Sequence, residues 1–423
     1  MPRGERLLLL AETTGYQTRV FAAAVERLGL ELVLATDRCH VLHDPWADHA
    51  IPVRFEDPEK SESLLAAGRR CEAVTAVGDR TTYLAARIAA RWGAPGHPPE
   101  AAAACRNKFL ARERWKAAGL LAPEYFRVDT ARDAREAAGR APYPCVLKPL
   151  GLSASRGVIR ANNEAAFVAA FGRIAALLSI PEILRFRDRV DRYIQVERFI
   201  EGNEYALEGL VTAGRLQVLA LFDKPDRLDG PFFEETLYVT PSREPDPVQR
   251  AIVDTTQSAI TALGLRHGPV HAEMRVNRRG VWMLEVAART IGGLCARALR
   301  FDPEMTLEEL VVRHALGEDV SGARRNKEAA GVMMIPIPAA GVFVQAGGVE
   351  RAGSVAGIDE VIITAKRGQM LLPLPEGSSY LGFLFARGPD PEAVEASLRR
   401  AHAALEFEIA AVLPVVASGK QVP

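Results

Sequence analysis

Between residues 6 and 92, short apolar runs alternate with segments of helical spacing, and this alternation decides most of what the chain can build. "RLLLLAE", "LELVLATD" and "CEAVTAVGD" read as buried strands. "QTRVFAAAVERLG", closing at Gly29, and "TTYLAARIAARWG" carry the apolar spacing of helices. Strands separated by helices imply a parallel sheet with right-handed crossovers. No G-x-G-x-x-G follows the first strand, so "AETTGY" gives dinucleotide binding little support.

"WGAPGHPPE" at 92–100 clusters Pro and Gly and marks a boundary. In "NKFLARERWKAAGL", Asn107 is placed to cap a helix and Gly119 to close it. From about 120 to 300 strands are expected to dominate, with "PSREPDPVQR" a loop feeding the helix "AIVDTTQSAITALG". After about 330 the pattern is α+β: "DEVIITAK" and "YLGFLFARG" read as strands, and Asp390 with Pro391 starts a helix.

Length and composition fit about three domains with real cores. Lys+Arg and Asp+Glu are both 53, so net charge gives no ground for nucleic-acid or membrane binding. Cys39, Cys71, Cys105, Cys145 and Cys295 are scattered without a CxxC pair, which argues against disulfides and zinc and for a reducing compartment. The first apolar run is too short for a secretory leader, and "GVMMIPIPAAGVFV" is too short to span a bilayer. A cytoplasmic protein is the expectation.

The chemistry starts at "PCVLKPLGLSASRGVIR", 144–160, where Lys148 interrupts a strand. The connection after it exceeds the roughly two to five residues that a hairpin needs. A P-loop would end in GK[ST] and feed a helix, whereas Gly157 is followed by "VIR", another strand. A flap remains, whose N–H groups and Ser153 and Ser155 hydroxyls can wrap a polyphosphate over Lys148. Taken alone, an exposed hairpin with a solvated lysine is the better reading.

A second constellation is "GPVHAEMRVNRRGVWMLEVAARTIGG", 268–293. A three-residue loop, "RRG", with Gly280 in a left-handed conformation, sets Val276 opposite Trp282 and Glu273 opposite Glu285. One face then carries Val270, Ala272, Met274, Val276, Trp282, Leu284, Val286 and Ala288; the other carries His271, Glu273, Arg275, Met283, Glu285, Ala287 and Arg289. Like charges directly opposite destabilise a sheet, so the glutamates need a shared proton, a cation or a metal. Spacing leaves open Mg²⁺ ligation or neutralisation by Arg275 or Arg289.

Taken together these segments resemble the ATP-grasp superfamily of ligases, over residues 95–310 and in outline over the whole chain. Lys108 and Lys148 look like its two nucleotide lysines, with Ser153, Ser155 and Gly157 in the phosphate loop. "YIQVERFIEGNEYALEG" looks like its adenine hinge: Glu197 and the backbone at Phe199 and Ile200 meet the base, Glu204 meets the ribose, and Leu284 completes the nucleotide set. Glu273 and Glu285 look like its metal ligands, for Mg²⁺ or alternatively Mn²⁺. Read singly, Lys108, Glu197 and Glu204 also fit solvated charges; the shared order carries the resemblance.

Within the superfamily the chain is most similar to the L-amino-acid ligases. "GPFFEETLYVTPS" resembles their substrate segment, with Glu235 holding an amino group. "EVAARTIGG" resembles their Glu-x-x-x-Arg-x-x-Gly-Gly pattern, and "GQMLLPLPEGSSYLGFLFARG" their lid domain. Tyr238 stands where relatives often have His, and Ala287 where many place a metal-binding Asn, which leaves the number of metals open.

The resemblance implies an α/β and α+β chain with a Rossmann-like N-terminal domain at 1–95, ATP-grasp subdomains at 96–192 and 193–325, and an α+β lid at 326–423. It further implies ATP-dependent carboxylate–amine ligation through an acyl phosphate, on small molecules, in a homodimer. Lys148 and Arg289 act on the phosphoryl group; Tyr238, His271, Gly292 and Gly293 join Glu235 and Arg289 around the substrate; "TIGG" can open a helix there. Read singly, His271 better fits a hydrogen-bonded structural histidine, and Arg289 also fits a structural ion-pair partner. Alternatives are a ligase of another pathway, such as one acting on purine precursors, and a silent nucleotide-binding regulator.

Overall fold

The structure is a computed structural model and describes residues 4–12, 16–37, 50–184 and 189–411; Cys39 lies outside them. The first layer is a parallel sheet in the spatial order Ile51–Pro52, Glu31–Thr36, Arg6–Ala11 and Ala73–Val77, as the alternation requires. Leu7 to Leu10 are all fully buried because helices cover both faces.

Residues 125–198 build an antiparallel sheet ordered Tyr125–Asp129, Tyr193–Arg198, Cys145–Pro149, Ile159–Ala161. Its Cys145 and Leu147 face pack under helix Glu164–Leu178, with Phe167, Phe171 and Ile174 in the shared core. That helix departs from the strand-rich expectation; Asn163 caps it by accepting from the Ala166 N–H at 2.9 Å. The alternate face carries Val146, Lys148, Gln195 and Glu197, by the two-residue period of a strand.

The third unit is an antiparallel sheet of eight strands: Gly280–Ala287, Gly268–Asn277, Asn203–Thr212, Arg215–Lys224, Leu237–Thr240, Ala329–Ile335, Gly382–Gly388 and Ile358–Ile363. It runs unbroken across the 325/326 division, through the pairing of Leu237–Thr240 with Ala329–Ile335. Its outer face packs on helices Pro99–Arg106, Lys108–Ala117 and Asp246–Leu263. The last of these starts inside the segment expected as loop, because Pro247 takes a first-turn position where no N–H is needed. Asp390 caps Pro391–Ala403 as expected, accepting from the Ala393 N–H.

The 268–293 hairpin departs from its expected register in two ways. Asn277 pairs with Gly280, so the turn has two residues, Arg278 and Arg279. Val276 therefore faces Val281 and Arg275 faces Trp282, and a bulge then inserts Leu284 between the Met274–Met283 and Glu273–Glu285 pairs. Met283 joins the apolar face opposite Met274, whereas Trp282 shares a row with Arg275 and hydrogen-bonds Asn277 Oδ1 through its indole N–H at 3.1 Å. Beyond the bulge Glu273 faces Glu285, as expected.

Candidate active site

The inner face of the large sheet is laid out in rows. Lys224, Glu204, Arg275 and Trp282 form one row across four strands; Phe222, Ala206, Glu273 and Glu285 form the next. Alternating charge along the first row makes it self-neutralising. Arg275 Nε lies 2.9 Å from Glu204 and Lys224 Nζ 2.9 Å from the same carboxylate. Arg275 also donates to the Ile200 carbonyl at 2.7 Å, fixing the hinge expected to meet adenine.

The glutamate pair is neutralised neither by Arg275 nor by Arg289. Lys224 Nζ lies 3.1 Å from Glu273, and Lys108 Nζ 3.7 Å from Glu285. Arg289 instead grips Asp79, in the turn just after the N-terminal strand Ala73–Val77, through two hydrogen bonds at 2.9 and 2.8 Å.

Lys148 sits over a fully buried counter-ion. Its Nζ donates to Glu197 at 2.5 Å, and Arg112 Nε approaches the other carboxylate oxygen at 2.7 Å. Burial opposes ionisation of Glu197, but Arg112 and Lys148 outweigh it and hold the carboxyl at about 2. Burial also pushes the Lys148 ammonium below its ordinary value, with Arg112 and Lys108 adding to this against Glu197. Arg112 lies one turn after Lys108 on the same helix and also donates to the Leu284 carbonyl at 2.9 Å.

The flap arches between the two inner faces. Lys108 Nζ donates to the Leu152 carbonyl at 2.8 Å. Gly157 has φ +73°, and a Cβ there would meet Pro149 Cγ at 2.7 Å, so only glycine closes the flap this tightly.

At the other end Lys224, 2% exposed, also reaches Glu235 at 2.6 Å. Tyr238 donates to Glu235 at 2.8 Å. Burial and the neighbouring Glu273 charge push the Glu235 carboxyl up to about 7, against the pull of Lys224. Glu273 goes the other way: burial opposes its ionisation, but Lys224 and His271 hold it well below the usual range. His271 bridges Glu208 at 3.2 Å and Glu273 at 3.4 Å. Glu208 also accepts the Ile291 N–H at 3.1 Å, so that "TIGG" amide is already bonded. The helix expected there is only the short 3₁₀ turn Cys295–Ala298.

All the expected site residues except Gly157 line one cavity of about 450 Å³. Sequence reasoning missed Lys224, Arg112, Asp79 and Glu208, and Ser378 and Tyr380 of the C-terminal region, which also line it or brace it. Two facing carboxylates, one held ionised, make a hard-oxygen donor set that fits Mg²⁺. Glu204, Glu235 and Glu273 also bring ligand atoms within 4.8 Å of one another, but the Lys224 ammonium already binds all three.

With this geometry in place, comparison with known proteins defines the class. Residues 141–298 match the ATP-grasp domain, and the chain has the ATP-grasp fold. More narrowly, residues 333–410 match the L-amino acid ligase C-terminal domain 2, so the chain contains an ATP-grasp domain followed by a region similar to an amino-acid-ligase C-terminal domain. It is 26% identical over 96% of its length to the uncharacterized protein y4rH of Sinorhizobium fredii, spanning 83% of that protein. It is 26% identical to alanine–anticapsin ligase of Bacillus subtilis over 65% of this chain, and spans 62% of that ligase, under two thirds of its length. The crystal structure of an L-amino acid ligase from Bacillus licheniformis superposes with a TM-score of 0.79 at 24% identity, over 97% of this chain and 100% of that one.

Proposed function

We propose that this protein is an ADP-forming ligase that joins the carboxylate of one amino acid to the amine of another. The observation that carries the reading is the convergence in one cavity of Lys108, Lys148, Glu273, Glu285 and Arg289, drawn from separate elements. No protein nucleophile is needed. A carboxylate oxygen of the substrate attacks the γ-phosphorus of ATP, the bond to the bridging oxygen breaks, and ADP leaves. The amine nitrogen then attacks the acyl carbon, phosphate departs, and the nitrogen loses a proton.

Catalysis here is positioning and charge stabilisation. Lys108 and Lys148 hold phosphate oxygens under the flap. Arg289, whose fork is held by Asp79, lines the cavity and sets its positive charge toward the transferring group. Glu235 and Tyr238 receive the substrate ammonium. The flap excludes water from the acyl phosphate. Glu273 and Glu285 would hold Mg²⁺, which when bound offsets charge on the phosphates. A cytoplasmic location and a homodimer belong to the same reading; among the described residues no helix is long and apolar enough to cross a membrane.

The test is phosphate release from ATP over a panel of amino-acid pairs, with mass spectrometry of the products. Release with a condensed product is expected. Release only with other carboxylates would transfer the chain to another ATP-grasp pathway, and binding without release would make it a regulator.

A further inference from the structure

The phosphate flap is tied to a segment of the C-terminal region. Gly157 turns its N–H away from the cavity and donates to the Pro375 carbonyl at 2.8 Å. Its neighbour Arg156 donates through Nε to the Glu376 carbonyl at 2.7 Å. The Glu376 side chain is gripped in turn by both arms of Arg173, one Nη2 contact measuring 2.8 Å. Arg173 belongs to helix Glu164–Leu178, which packs beneath the sheet that carries the flap. Just beyond, Ser378 and Tyr380 line the cavity beside Glu235 and Tyr238. One short segment thus touches the phosphate loop at one end and the substrate end of the site at the other.

Gly377 shows how little freedom this segment has: a Cβ would lie 1.8 Å from the Leu372 carbonyl oxygen. Its shape is therefore constrained, and the Arg173–Glu376 pair is the side-chain ion pair that holds it beside the ties from Gly157 and Arg156. Both side chains of that pair are partly exposed, at 45% and 36%. Water screens such a pair, so it can break and re-form in every cycle while its two-armed geometry restores one position.

We propose that Arg173 and Glu376 form a latch that positions residues 375–380, so that the flap closes over phosphate only when the substrate wall is in place. Both are positioning residues, since neither touches the cavity. The kinetic arm of the inference rests on the ligase reading above; the structural arm does not.

The experiment compares the parent with Glu376→Gln, Arg173→Glu and the charge-swapped double variant Arg173→Glu/Glu376→Arg. Hydrogen exchange of the peptide amides at 151–158 is read on the protein alone and with ADP. Each single variant is expected to exchange at Gly157 at least about fivefold faster, and the swap to recover protection. In turnover, KM for ATP should rise more than kcat falls, and phosphate released per amide should exceed one as water reaches the acyl phosphate. Unchanged exchange in both single variants, or a swap that recovers nothing, overturns the latch. A protein that ligates no substrate pair defeats the ligase reading, while the exchange measurement still decides the latch.

Discussion

Lys148 and Glu197 lie 2.5 Å apart, yet substitutions at the two should fail differently. Removing Lys148 leaves Glu197 with Arg112 at 2.7 Å and the Gln195 amide, so its charge stays compensated. Lys148→Ala should therefore fold normally and lose at least about 100-fold in ATP-dependent turnover. Glu197→Gln removes the counter-ion of two buried cations and should cost about 3 kcal/mol in urea unfolding. A Glu197→Gln protein as stable as its parent would show that the carboxylate is not the keystone of this cluster. The sequence displayed Lys148 because a charge within an apolar strand stands out. It hid Arg112, one of four cations on a single helix, of which packing selects Lys108 and Arg112 to face inward. Lys224 was hidden too, since "FDKPD" reads as a charged strand end until the segment before Leu237–Thr240 and the strand Gly268–Asn277 bring Glu235 and Glu273 to it.

At the scale of elements, the glutamate pairing was legible through two departures that cancel. The turn is one residue shorter than expected and the bulge at Leu284 one residue longer, so the register returns to its expected value at Glu273 and Glu285. Strand parity carries no mark of a bulge, which is why Trp282 and Met283 were assigned to the wrong faces. With the pair on one face, Glu285→Gln should raise the Mg²⁺ concentration for half-maximal turnover by at least about tenfold, read from a metal titration of phosphate release. An unaltered titration removes Glu285 from the metal site. The flap offers a backbone counterpart. Gly157→Ala would place a methyl group against Pro149 at positive φ, so a loss of about 1 kcal/mol or more is expected in urea unfolding. KM for ATP should rise with it, because the same residue sets how closely the flap descends. Equal stability and equal KM would mean that the flap closes without this conformation.

Over the whole molecule, the N-terminal layer meets the large sheet at a cluster of three histidines, His97, His267 and His314. His97 accepts the Arg266 N–H at 3.2 Å through Nδ1 and bonds the Pro269 carbonyl at 3.2 Å through Nε2, a pattern only the neutral ring satisfies. His314 contacts Thr212 Oγ1 at 2.8 Å and stacks on His267 with ring centres 3.9 Å apart. Burial pushes His97 down to about 4 and His314 to about 3, with the neighbouring imidazoles adding to the shift. Both folded values lie below the ordinary 6.5, so the folded state refuses protons that the unfolded chain accepts. The stability tied to these rings is complete above pH 6.5 and is lost as pH falls toward 4 and then 3. The loss runs at about 1.4 kcal/mol per pH unit for each ring. Urea midpoints at pH 7, 6 and 5 should fall steeply for the parent and more gently for His97→Gln/His314→Gln, whatever the variant loses at pH 7. Parallel slopes would mean that both rings take up protons in the folded protein. The acid sensitivity of the fold would then rest on its paired carboxylates, such as Asp79 held by Arg289 across the same junction.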